Sequence, residues 1–160
     1  MTFVAFPCDI EGSVAKENVQ NMDDQALWAC VHDSSLPQQA WTHDAHLRVA
    51  WMFLARYALD EAHLRLRVAI IKLNAAHGLD ETPSRGYHET LTRTWLTLVA
   101  QARRGVVVPT SAAFRIACSN ELERDAPMRF YSRERLLSLP ARATFVAPDR
   151  APLPLPFALG

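Results

Sequence analysis

The stretch Trp41-Thr42-His43-Asp44-Ala45-His46-Leu47 constrains this chain more than any other. Residues three apart on a helix share a face, so a helix here aims His43 and His46 at one small region. The same face continues through Leu47, Ala50, Trp51, Leu54 and Tyr57, the spacing of a stripe that a helix buries against a core. Two ionisable imidazoles therefore head a core-facing stripe, and buried polar groups need partners. Tyr87-His88-Glu89-Thr90 opens a second patterned segment, in which Leu91, Trp95, Leu98, Val99 and Ala102 follow at helical spacing. It supplies a third imidazole.

The rest of the pattern is also helical. A first helix is predicted from about Met22 to Val31, with Asn21 as cap and Asp23 and Asp24 at the positive end of its dipole. A second runs from Pro37 or Thr42 to Ala58, and the short joint Leu59-Asp60 folds the third back antiparallel. That third helix spans about Glu61 to His77, capped by Asp60 and stopped by Gly78. Its stripe of Ala62, Leu66, Ala69, Ile70, Leu73 and Ala76 is widened by Leu64, Val68 and Ile71, so the helix is expected to be well buried. A fourth begins near Ser84 or Gly86 and ends before Gly105. Thr110 caps a fifth, from Ser111 to about Leu122; Asp125-Ala126-Pro127 marks another start, and Ser132 caps a short helix through Leu137.

From Pro140 onward, Pro148, Pro152, Pro154 and Pro156 favour extended geometry. Phe145, Leu153, Leu155 and Phe157 let this tail lie over the helices or reach a neighbouring subunit. Residues 1–20 read as an N-terminal arm, with Thr2 to Ala5 a short strand or extended piece. The expectation is an all-α single domain: an up-and-down four-helix bundle over 21–105, extra short helices over 106–139, and a Pro-rich extended tail over 140–160.

Charge and cysteine usage narrow the function class. Lys plus Arg and Asp plus Glu both number 17, whereas general polyanion binders carry a basic excess, so nucleic acid is not an expected partner. Cys8, Cys30 and Cys118 are odd in number and far apart, with no Cys-x-x-Cys pair, which suits a reducing cytoplasm. Phe3 to Pro7 is too short for a signal h-region, and no run approaches the ~18 apolar residues of a membrane span. A soluble cytoplasmic protein is expected, with no membrane partner.

Alternating helices place the starts of the second and fourth at the same end as the finish of the third. His43, His46, His88 and His77 then share one mouth of the bundle with His32, and His63 lies at the other end. Three imidazoles plus an open position make a reasonable site for a divalent transition metal such as Zn, Ni or Fe. The predicted ligands are His43, His46 and His88, with His77 as substitute. Glu89 or Tyr87 would handle protons, and a bound water would be acidified for chemistry on a small molecule. Trp41, Trp51, Tyr87 and Trp95 would wall the site, and Arg65, Arg67 and Lys72 would form a solvated rim. Neither His46 nor His88 has a Glu three residues before it, which disfavours a di-iron carboxylate centre. No His-Glu-x-x-His, Gly-x-Ser-x-Gly or phosphate loop is present.

The competing reading is a non-catalytic helical binding or oligomerisation module, possible as a homodimer, in which the histidines are hydrogen-bonded structural groups. A third is a haem or other planar cofactor between His43 and His88. Cys30 and Cys118 read as small core residues.

Trp41-Thr42-His43-x-Ala45-His46-Leu47 together with Gly86-Tyr87-His88-Glu89-Thr90 resembles a group of uncharacterised small bacterial helical proteins. The likeness covers about residues 36 to 100 and implies no particular activity. In architecture alone the chain looks like the damage-inducible bundle proteins that hold a metal with three histidines, although those distribute their ligands differently along the chain. Fold analogy does not deliver function.

Overall fold

Capping decides where these helices begin. The computed structural model describes Val19 and residues 21–154, and among these residues the regular structure is helical, with no strand. The helices are α1 (Asp24–His32), α2 (His43–Leu54), α3 (Leu59–Ala76), α4 (Glu89–Arg103), α5 (Ser111–Ala117), α6 (Arg133–Leu136) and α7 (Leu139–Ala143), with 3-10 turns at Gln38–Ala40 and Ala126–Arg129. Thr42, Thr110 and Ser132 accept from the amides of Ala45, Ala113 and Arg135, as their positions predict. Two predicted caps move. Asp23, not Asn21, caps α1 through a 2.7 Å bond from the Ala26 amide. Asp60 lies inside the first turn of α3, whose N-cap Ala58 makes no side-chain bond.

The chain also stays helical past the predicted boundary at Pro140. Ser138 caps α7 and Pro140 sits in its first turn, where the missing N–H has no intrahelical partner to lose. Helix thus continues past Pro140 to Ala143, and only its C-cap Thr144 takes extended backbone geometry.

Nine of the twelve residues of α2 are buried, more than one apolar stripe accounts for, because α1, α3, α4 and α5 all pack on this helix. Leu47, Met52 and Phe53 lie in a core with Leu27, Leu36, Trp41, Leu73, Leu96, Phe114 and Leu122. A second, smaller cluster forms around Leu91, Tyr131 and Leu136, with Val146 and Leu153 of the tail packed against it. Thr90 Oγ1 donates to the Thr144 carbonyl at 2.9 Å and accepts from the Val146 amide at 3.1 Å, which holds the tail on α4. Leu155, Phe157, Cys8 and the strand or arm expected at Thr2 to Ala5 lie outside the described residues.

The third helix is not buried all round. Leu64, Val68 and Ile71 are 60%, 52% and 36% exposed, because α3 meets its neighbours through Ala62, Leu66, Ile70 and Leu73 on the other side. No helix among the described residues is long and apolar enough to cross a membrane.

The path of α4 departs from up-and-down alternation. In that arrangement its first residue faces the end of α3, near Ala76. Instead Glu89 meets His63 and Arg67, in the first half of α3. Farther along, Trp95 stands edge-on to His43 with ring centroids 4.8 Å apart, and the Arg103 guanidinium lies over Trp51. The helix therefore starts against the first half of α3 and then runs along α2 in the same direction. The linker permits this: the twelve residues 77–88 span up to roughly 40 Å extended, against about 27 Å for α3 at 1.5 Å per residue. Gly78 and Gly86 turn it with φ of 67° and 98°.

Candidate functional site

The imidazoles at the starts and ends of the helices face main-chain carbonyls. His46 Nδ1 donates to the Thr42 carbonyl at 2.7 Å, and its ring stacks on Trp41 with centroids 3.7 Å apart. His43 Nε2 donates to the carbonyl of Leu122 at 3.1 Å. His88 is the N-cap of α4: Nδ1 accepts from the Leu91 amide at 3.2 Å, and Nε2 donates to the Leu136 carbonyl at 3.0 Å. His77 Nε2 reaches the Leu36 carbonyl at 2.7 Å, and His32 Nδ1 the Trp28 carbonyl at 3.0 Å. A carbonyl can only accept, so each of these bonds fixes an N–H on the ring nitrogen that makes it.

Burial disfavours the charged form of His43, His46 and His88. It holds His46 at about 3, with the His43 charge adding to the effect and the Thr42 carbonyl opposing it. His88 is held at about 4, first by burial and then by the Arg142 charge. His43 is lowered for the same leading reason.

These donors do not fit the predicted metal centre. His43 and His46 are neighbours on α2, but His88 uses one ring nitrogen on its own helix and the other on Leu136. It keeps no lone pair for an ion in this arrangement. Among the described residues, no three His, Cys, Asp or Glu side chains stand where they could hold a metal. His88 faces the C-terminal segment instead, through the Leu136 carbonyl.

The structure does bring together Tyr87 and Glu89. Tyr87 Oη donates to Glu89 Oε2 at 2.7 Å, and His63 Nε2 lies 3.1 Å from Glu89 Oε1. Arg93 Nε reaches the same Oε1 at 2.9 Å, and Arg67 Nη1 lies 3.5 Å from Oε2. Glu89 is only 5% exposed at the first position of α4, where the helix dipole also favours an anion. Burial pushes its carboxyl up, but bonds from His63 and Tyr87, then the charges of His63 and Arg93, hold it at about 2. Burial, and next the bond to Glu89 and its charge, drive the Tyr87 phenol well above its ordinary value. The result is a carboxylate that stays ionised at neutral pH and is ringed by donors.

His63, Arg67 and Arg93 were not foreseen as its partners. The Glu89–Arg93 spacing of four residues was a legible signal. His63 was not, because alternation assigned it to the opposite end. Arg48 carries no sequence signal of its role. It is 2% exposed in the middle of α2, and donates to the Val19 and Met22 carbonyls, Asp24 and Ser111. No family model, curated protein or solved structure matches the chain.

Proposed function

We propose that the protein is a non-catalytic helical binding module whose histidines are structural. The four longer helices α1 to α4 form its scaffold, and the short C-terminal helices are fastened to it by imidazole-to-carbonyl bonds. The observation that carries this reading is His88, whose two ring nitrogens cap α4 and hold the Leu136 carbonyl at once. His43 on Leu122 and His77 on Leu36 do the same for other loops. Acid–base groups work best with pKa values near the operating pH. Glu89 at about 2 and Tyr87 well above its usual value fit a lock between α3 and α4 better than a proton relay. The free thiols of Cys30 and Cys118 suit a reducing compartment such as the cytoplasm.

The competing reading, a metal-dependent enzyme built on His43, His46 and His88, requires His88 to release a helix cap and a carbonyl. Metal analysis of protein purified without a histidine tag separates the two. The binding-module reading expects no stoichiometric transition metal after growth with Zn, Ni and Fe supplements, and an unchanged melting temperature on adding a chelator. One ion per chain, lost in His46→Ala, overturns it.

A further inference from the structure

A groove of about 370 Å³ runs between the last turn of α1 and the middle of α3. Its floor is Val31 and Phe53, each 2% exposed, and its wall is Leu64 and Val68, 60% and 52% exposed. Apolar side chains left open side by side mark a surface that something covers, whereas isolated ones do not. The rim is basic: His32, Arg65 and Lys72 line the groove, and no acidic side chain does. Arg65 already shares Glu61 at 2.8 Å on its own helix, but Lys72 makes no ion pair among the described residues. A fitting occupant is therefore apolar on one face and acidic along its edge. A two-fold pairing of this face with a second copy sets one basic rim against another, so the charges disfavour it.

The chain carries such a segment outside the described residues. In Phe6-Pro7-Cys8-Asp9-Ile10-Glu11 the apolar Phe6, Cys8 and Ile10 alternate with Asp9 and Glu11, so extended backbone puts the first three on one face and the carboxylates on the other. Residues 155–160, by contrast, hold no charged side chain. The lengths agree, since Phe6 to Ile10 spans about 13 Å when extended and Leu64 to Lys72 about 12 Å along α3. The connection also reaches. Arg48 holds the Val19 carbonyl near the start of α1, and α1 is about 14 Å long, while residues 12–18 extend up to about 23 Å. We propose that residues 6–11 dock in this groove, their apolar face on Leu64 and Val68 and their carboxylates beside Arg65 and Lys72. The docking is independent of the role proposed above for the histidines.

Disulfide cross-linking of the full chain tests it, because Cys8 faces the groove in this pose. Val68→Cys puts a thiol on the exposed wall, and diamide serves as oxidant. A disulfide between Cys8 and position 68, mapped by peptide mass analysis of the monomer band, is expected to form at least tenfold faster than the link from Cys8 to position 139 in Leu139→Cys. Leu139 is 60% exposed on α7, so the comparison separates docking from the mere reach of a tethered segment. Phe6→Ser combined with Ile10→Ser is expected to erase the tenfold advantage, and it leaves the sequence of α1 to α7 unchanged. High salt, which screens Asp9 and Glu11 from Arg65 and Lys72, is expected to slow the link severalfold. Equal rates in Val68→Cys and Leu139→Cys overturn the proposal, as does an unchanged rate after Phe6→Ser with Ile10→Ser. Linkage found only in a covalent dimer also overturns it and assigns the groove to a second copy.

Discussion

His63 Nε2 lies 3.1 Å from Glu89 Oε1, joining the second turn of α3 to the first residue of α4. This contact seats the start of α4 on α3, one residue after His88. Arg93 from the same helix, Arg67 from α3 and the Tyr87 hydroxyl complete the ring around the carboxylate. Buried charges persist only where such donors replace water.

Glu89→Gln is expected to lower stability by about 2–3 kcal/mol near neutral pH, since it removes the charge that the His63, Arg67 and Arg93 side chains face. The folded carboxyl titrates at about 2, below its ordinary 4.5, so its contribution is fully present above pH 4.5 and is lost as pH falls toward 2. Denaturant unfolding of parent and variant from pH 7 to pH 2.5 checks this. The two stability curves should converge at the acid end, and a constant gap counts against the lock.

Acid should weaken the fold well before Glu89 titrates. His46 and His88 are held at about 3 and about 4, so between pH 6.5 and those values the unfolded chain takes up protons that the folded rings refuse. The sign is therefore a loss of stability as pH falls below 6.5, about 2 kcal/mol per ring by pH 5. His88→Asn, which retains a capping side chain at the N-cap of α4, should show a shallower decline between pH 7 and 5. An identical slope in parent and variant excludes His88 as a contributor.

Arg48→Met is expected to cost about 2–4 kcal/mol, because the Val19 and Met22 carbonyls lose their donor and Asp24 keeps only Ser111. Arg104→Met, at an exposed position just past α4, should leave the denaturation midpoint nearly unchanged. Equal midpoints for the two variants contradict the role given to Arg48.

Gly86→Ala should destabilise by about 1–2 kcal/mol, since φ is +98° there and side chains rarely adopt that region. An added Cβ also falls 2.2 Å from Glu81 Oε2, the oxygen that accepts from the Tyr87 amide at 2.8 Å. Hydrogen exchange at the Tyr87 amide should accelerate in the variant, and unchanged protection there refutes the coupling.

Much of the local structure was legible. Thr42, Thr110 and Ser132 announced their helices because capping depends on residues within one turn. Gly78 marked the end of α3 for the same reason, as a left-handed turn needs no distant contact. On α2 the periodicity marked Leu47 and Ala50, whereas Trp51, Leu54 and Tyr57 of the same stripe are only partly buried and Val49, Met52 and Phe53 beside it lie in the core. Asp23 displaced Asn21, and α7 ran through Pro140, where several nearby residues offered comparable local choices.

The pairing of Tyr87 with Glu89 follows from two residues near one helix start, whereas His63 and Arg67 enter from α3. Leu64, Val68 and Ile71 carry the same hydropathy whether a neighbour covers them or not. By itself the sequence determined helical structure for the described residues and the starts of α2, α5 and α6, because propensity and capping act over a few residues. Only the tertiary structure decided where α4 sits, which carbonyls the imidazoles hold and which donors surround Glu89. A twelve-residue linker leaves that position open, and contacts between residues far apart in the chain select it.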